Sequence, residues 1–348
     1  MSDTATAPLA QRLADAGADA SGPAEPRHPD IARWRGATRD DIDAMHAVFA
    51  AADQVDHPTW VTPREEVEDT FDLPDVDHAV DTILAIAHDG TVVAAGTAMR
   101  HPDTTTRVKS YLQGAVHPTW RRRGIGAELM RWQYSRALQQ LAASGSTLPG
   151  EIDVYASDGN DGAVRLAEAL GLRTARWFTS MVRDNSVAVA ELADLPGITL
   201  VPYSADRAED ARQARNDAFR DHWGSLPSSP DRWQKFVGGP FLRPDLSTLA
   251  LDADGRIVAF CLASVNEDDW VTLGATNSYI DLIGVVRDRR GQGLAPRVVA
   301  RTLRAMTDAG LAKAVLDVDT ESPTGANTLY ERLGFIATER DRALVREF

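Results

Sequence analysis

The chain has 348 residues, 43% of them hydrophobic and 25% charged, and a formal net charge of −14. That length favours two domains over a single core. The negative field argues against general binding to nucleic acid or an anionic membrane and would attract a cationic partner, although solubility explains the acidity equally well. A lone cysteine, Cys261, excludes an internal disulfide framework. With no apolar span of about 18 residues and no signal-peptide pattern, a cytoplasmic location away from membranes is expected.

In chain order, residues 1–29 are rich in Ala, Asp, Gly and Pro. They read as a flexible tail, with 9–20 as its one short helical stretch. A strand at 32–36 precedes the cap Thr38-Arg39-Asp40-Asp41 and a helix through Ala52, and a second helix follows Thr62-Pro63-Arg64. A hairpin over 82–99 turns at Asp89-Gly90. Then come a strand at 110–116, a basic turn, a helix to about 143, a strand at 151–156, a helix at 160–170 and two closing strands to about 182. The predicted domains are 30–184 and 198–348, joined by a linker at 185–197 that ends in Pro196-Gly197.

After the linker the same order of elements begins again. Val116 and Val285 stand 169 residues apart, as do Arg121 and Arg290, Gly124 and Gly293, and Gly126 and Ala295. The turns Asp89-Gly90 and Asp254-Gly255 are 165 apart, and Leu170-Gly171 and Leu333-Gly334 are 163 apart. Offsets that drift only across loops indicate a duplicated unit. In the second copy an apolar run at 280–286 leads into Arg287-Asp288-Arg289-Arg290-Gly291-Gln292-Gly293-Leu294-Ala295 and then a helix. Strand, glycine turn and helix N-terminus together suit a pyrophosphate. Cys261 lies in the strand-like run 257–263, where a small buried hydrophobe is expected rather than a nucleophile. No Cys/His cluster has metal spacing, so no metal is expected.

With both turns in view, the chain resembles the GNAT superfamily of N-acetyltransferases arranged as a tandem pair. The family signature Gln/Arg-x-x-Gly-x-Gly/Ala stands twice, as Arg121-Arg122-Arg123-Gly124-Ile125-Gly126 and as Arg290-Gly291-Gln292-Gly293-Leu294-Ala295. A second family feature appears as Leu329-Tyr330-Glu331-Arg332-Leu333-Gly334-Phe335. Among tandem members the layout is similar to that of the mycothiol synthase type. The resemblance implies an α/β fold of two tandem domains, each a twisted, splayed mixed sheet flanked by helices. It implies acetyl-CoA as co-substrate, with its pantetheine arm in the gap between the splayed strands. The carrying residues would be Val116, Arg121, Arg122, Arg123, Gly124, Ile125, Gly126 and Asn160 in the first half. In the second half they would be Ile283, Val285, Val286, Arg290, Gly291, Gln292, Gly293, Leu294 and Ala295, with an amide near Val285 or Val286 polarising the thioester carbonyl.

The halves are unequal. Tyr330, which in this family donates to the departing sulfur, aligns with Ala167, and Asp281, placed where the family often has its base, aligns with Leu112. The second half departs from the first at Asn160, carrying Ser322-Pro323-Thr324-Gly325 instead. The first half therefore reads as a degenerate domain, CoA-binding or purely structural, and the second as the catalytic one. Asp317 and Asp319 rival Asp281 as base, or serve to hold an ammonium. His222 is a candidate base or relay, with a helix-end cap as its plain alternative. The implied activity is direct transfer of acetyl to a primary amine of a small molecule. A non-catalytic acyl-CoA-binding or regulatory module, and acetylation of protein lysines, are the alternatives. The acceptor, and whether the chain is a monomer or a homodimer, stay open at this point.

Overall fold

A computed structural model describes residues 7–57, 60–102, 104–321 and 326–348. The Ser322 to Gly325 departure lies outside the described residues. The chain divides into two compact units, 1–177 with 341–348, and 178–340.

In the first unit the chain runs α1 (Leu9–Asp15), β1 (Ile31–Arg35), α2 (Ile42–Asp56), α3 (Arg64–Thr70), α4 (His78–Asp81), β2 (Thr82–Ala87), β3 (Val92–Arg100), β4 (Val108–Val116), α5 (Ile125–Ala143), β5 (Gly150–Ser157) and α6 (Asp161–Ala169). Strand β6 (Arg173–Asp184) follows. The second unit continues with β7 (Thr199–Pro202), α7 (Ala208–Ala218), α8 (Pro230–Gly238), β8 (Thr248–Leu251), β9 (Ile257–Ser264), α9 (Asp268–Leu273), β10 (Asn277–Val285), α10 (Leu294–Asp308), β11 (Lys313–Asp319), α11 (Ala326–Arg332) and β12 (Ile336–Glu347).

Each unit pairs its strands in the same way. In the first, β1 to β4 form an antiparallel meander, β4 pairs with β5 in parallel, and residues 341–347 of β12 add antiparallel to β5. In the second, β7 to β10 form the meander, β10 pairs with β11 in parallel, and residues 178–184 of β6 add antiparallel to β11. The parallel pairs need crossovers, which α5 and α10 supply. The hairpin turns fall where Asp-Gly pairs stand, with Gly90 at φ 89° and Gly255 at φ 78°, a left-handed conformation that glycine adopts without steric cost. The second core packs Val298, Val299, Leu303 and Met306 of α10 on the apolar strands β9 and β10.

Three expectations are corrected. In place of two closing strands before Val182 there is one, β6. The division between units falls at Trp177/Phe178 and at Arg340/Asp341 rather than in the linker at 185–197. The physical reason is pairing: β5 and β11 each have an edge whose backbone groups need partners. The partner of each comes from the closing strand of the other repeat, a non-local choice that chain order does not reveal. The expected flexible tail is also packed from residue 9 on. Leu9 and Leu13, one α-helical turn apart, are 1% and 0% exposed in the core around α5. The Leu9 amide donates to the Ser146 carbonyl at 2.7 Å, and Arg12 donates to the Thr147 carbonyl at 3.1 Å. Among the described residues no helix is long and apolar enough to cross a membrane.

Leu13→Ala should therefore lower the unfolding free energy by about 2–5 kcal/mol, as for any fully buried leucine. A urea titration that left the midpoint unchanged would restore the flexible tail.

Candidate active site

The site begins with a failure of pairing. In the second unit β10 and β11 are paired only at Asn277↔Lys313, Ser278↔Ala314 and Tyr279↔Val315. Beyond Tyr279 they diverge, while β10 stays paired with β9 as far as Val285↔Ala259. An antiparallel ladder uses alternate residues for hydrogen bonding. The Val286 amide donates to the Val258 carbonyl at 3.0 Å, so the backbone groups of Val285 and Ile283 face the open side. Val286 is thereby removed as a source of a polarising amide. The first unit splays likewise, β4 and β5 being paired only from Val108↔Gly150 to Tyr111↔Asp153.

At the start of the divergence the β9/β10 register slips between Ile280 and Leu282. Asp281 is the extra residue of this bulge, a device that re-aims a side chain. Ser264 Oγ donates to its carboxylate at 3.1 Å. Because Ser264 lies opposite Tyr279, Asp281 shares a sheet face with Tyr279. Asp317 joins that face, accepting from Tyr279 Oη at 2.6 Å and from Ser180 Oγ. Asp319, two residues on and 4% exposed, accepts the Glu321 amide at 2.9 Å. The first unit has no such slip, β4 running in continuous register with β3, and Leu112 is simply buried there.

Tyr330 on α11 is 7% exposed and meets Phe335 edge-on, with 6.0 Å between ring centres. Burial pushes its phenol above the ordinary tyrosine range, and the Cys261 thiol adds in the same direction. Among the described residues its hydroxyl has no hydrogen-bond partner. Cys261 is fully buried and its thiol is pushed up to about 12 by burial, so it is no nucleophile at neutral pH. His222 sits in the loop after α7 with Nδ1 at 3.0 Å from the Trp223 carbonyl and 3.2 Å from Ser225 Oγ. The Trp223 ring centre lies 6.3 Å from that of Phe178, which pairs with Asp319, so this loop reaches the Asp319 end of the acidic face, while Asp317 is exposed.

The two glycine turns share a backbone. Gly291 and Gly293 have φ 75° and 73°, and Arg122 and Gly124 have φ 64° and 98° at the matching positions. In the second unit Gly291 and Gln292 are exposed, and a Cβ on Gly291 would meet nothing within 4 Å. Arg290 turns away from the loop to the Ala218 carbonyl at 2.7 Å and Asp221 at 3.2 Å. An anion here would meet backbone amides at the start of α10, where Leu294 and Ala295 stand, rather than a guanidinium. In the first unit Arg121 donates to the Val116 carbonyl at 3.0 Å and takes Asp56 in a fork at 2.8 Å. Asn160 caps α6 through the Ala163 amide and donates to the same Asp56 at 3.1 Å. Arg123 stacks on Trp120 at 4.7 Å, and its carbonyl is held by His28 at 2.7 Å. Ile125 is buried, and a Cβ on Gly126 would stand 3.5 Å from Val116 and from Leu166.

The model of the acetyltransferase (GNAT) family matches the chain twice, over residues 49–172 and 208–335. The chain belongs to the GNAT acetyltransferase family. A mycothiol acetyltransferase of Salinispora arenicola is 33% identical over 268 residues, covering 74% of this chain and 76% of that protein. One of Clavibacter sepedonicus is 26% identical over 316 residues, covering 90% and 94%. A GCN5-related N-acetyltransferase from Sphaerobacter thermophilus superposes with a TM-score of 0.67 at 25% identity, over 92% of this chain and 97% of that one. A tandem GNAT protein from the clavulanic acid biosynthesis pathway gives 0.63 at 16% identity, over 90% and 98%, a likeness of fold.

This GNAT chain is an acyl-CoA-dependent N-acetyltransferase, and members of its family use acetyl-CoA. Among the described residues no group of three His, Cys, Asp or Glu could hold a metal. Sequence reasoning missed the hydroxyl partners of the acids. Ser264 and Tyr279 carry no motif, and Ser180 comes from a strand that chain order assigns to the other repeat.

The paired turns make a test. Gly293→Ala forces a side chain into the left-handed region and should cost about 1 kcal/mol or more, whereas Arg122→Gly relieves the same strain and should leave stability unchanged or raise it by up to about 1 kcal/mol. Equal losses in urea titrations would contradict this pairing.

Proposed function

We propose that the second unit moves acetyl from acetyl-CoA to a primary amine of a small molecule by direct attack on the thioester. The observation carrying this reading is the bulged Asp281 beside the point where β10 leaves β11, with a buried Tyr330 in the same core whose hydroxyl has no hydrogen-bond partner among the described residues.

The open backbone groups of Ile283 and Val285 suit the amide-rich pantetheine arm, since each side supplies what the other lacks. The amides opening α10 suit the pyrophosphate. Asp281, oriented by Ser264, takes the proton of the attacking amine, and Asp317 and Asp319 hold the ammonium form on the same face. His222 is the relay available from the loop after α7. As the carbonyl becomes tetrahedral, the Val285 amide meets the developing oxyanion. The carbon–sulfur bond then breaks, and Tyr330 donates a hydrogen bond to the departing thiolate.

The first unit is the structural half in this reading. Its Arg121 is already committed to Asp56 and the Val116 carbonyl, and Leu112 and Ala167 offer no acid and no phenol. The lone buried thiol suits a reducing, cytoplasmic setting. The names of the mycothiol acetyltransferase relatives make a mycothiol-related amine the first acceptor to assay.

Incubation with isotopically labelled acetyl-CoA and a panel of thiol-sugar amines, aminoglycosides and polyamines should give a labelled small molecule. Labelled protein bands instead would favour lysine acetylation, and CoA binding with no transfer would overturn the reading. With an acceptor in hand, Tyr330→Phe should lower kcat by about 10², and Asp281→Asn by about 10²–10⁴ with loss of the acidic limb of the pH profile. Unchanged turnover in either variant removes that residue from its role.

A further inference from the structure

Arg183 is 1% exposed in the second unit, an extreme position for a guanidinium. It belongs to β6, the strand that chain order gives to the first repeat. Its Nε donates to the Leu333 carbonyl at 2.7 Å, Nη1 to the Asp184 carbonyl at 3.2 Å and to Asn185 Oδ1 at 3.1 Å, and Nη2 to the Val187 carbonyl at 2.5 Å. None of these acceptors is a carboxylate. Burying such a cation is costly; the charge of the neighbouring Asp184 favours it, and so does the C-terminal end of α11, where carbonyl dipoles favour positive charge.

That helix end is tied to Tyr330. The Leu333 amide donates to the Tyr330 carbonyl at 3.0 Å, and so does the Phe335 amide. Gly334, at φ 91°, lets the chain turn against Arg183, where a Cβ would stand 3.5 Å from Nε. Helix α11 spans seven of the described residues, a short helix that depends on its packing for its position. Asn185, the neighbour that receives Arg183, also donates to the Leu311 carbonyl at 3.0 Å just after α10. One arginine thus links the helix carrying Tyr330 to the end of the helix that opens on the glycine turn.

We infer that Arg183 is a positioning residue for acetyl transfer, fixing α11 so that the Tyr330 hydroxyl is presented to the leaving sulfur. This rests on the reading of Tyr330 given above. The role is neither substrate contact nor proton transfer; it is placement of a phenol whose own short helix depends on its packing.

The test uses the full chain labelled with 3-fluorotyrosine, the Tyr330 resonance being assigned by its loss in Tyr330→Phe. In Arg183→Met that resonance should shift or broaden, and Arg183→Lys, which keeps the charge and some donors, should restore it in part. With the acceptor from the labelled panel, Arg183→Met should lower kcat about 10- to 100-fold with KM for acetyl-CoA within about twofold. The Arg183→Met/Tyr330→Phe double variant should be no slower than Tyr330→Phe alone. An unmoved resonance in Arg183→Met, or rate losses that multiply in the double variant, would overturn the inference. If Arg183→Met does not fold, Arg183→Lys carries the same two readouts. Should Tyr330→Phe turn over normally while the resonance still responds to Arg183, the Tyr330 reading fails and the placement stands.

Discussion

Everything at the site depends on a pairing that stops. Parallel strands β10 and β11 are paired at three positions and then separate, turning the backbone donors and acceptors of Ile283 and Val285 toward the opening. Such groups are costly unless something completes them. A co-substrate whose arm is itself amide-like is a chemically apt completion, since it adds to the sheet as a short strand would. The bulge at Asp281 lies where the divergence starts. The extra residue turns a carboxylate onto the face beside the opening; the first unit splays without such a slip, so the bulge accounts for the placement of the candidate base and not for the divergence.

The two repeats show that geometry alone does not make such a site. The first unit splays at the equivalent register and carries the same left-handed turn. One of its open groups, however, is answered from within: Arg121 reaches the Val116 carbonyl and is itself held by Asp56, which Asn160 shares, while His28 holds the turn at Arg123. In the second unit Arg290 is drawn outward to Asp221 and Ala218, and its loop stays exposed. The difference lies in where one arginine finds its acceptors.

What was legible in the sequence was local. Asp-Gly hairpins, the glycine turns and the strand-to-helix order follow from φ preferences and periodicity within a dozen residues, and the structure has them where the residues stand. The repeat offsets pointed to the family because they preserve that order. What was not legible is non-local. Nothing in residues 178–184 announces that they add to β11 rather than to a strand of their own repeat. Ser180 and Arg183 were therefore invisible as neighbours of Asp317 and α11. The bulge was hidden because one inserted residue leaves the apolar pattern of β10 nearly intact. Leu9 and Leu13 were hidden because two apolar residues in a stretch rich in Ala and Gly make a weak signal until the groove they fill is known.

The environment of Tyr330 also narrows what it can do. A phenol near pKa 10 giving its proton to a thiolate whose thiol has a pKa near 8.5 is uphill by about 2 kcal/mol in water, and burial here raises the phenol further. Full proton transfer in this site would place a phenolate in an apolar core next to Cys261, whose own ionisation burial already opposes. A hydrogen bond to the developing thiolate avoids that charge separation. It keeps the phenol neutral and grows stronger as negative charge moves onto sulfur, so it favours the transition state over the bound thioester. The same burial that disqualifies Tyr330 as an acid goes with a hydroxyl uncommitted among the described residues, which is the condition for that selective donation.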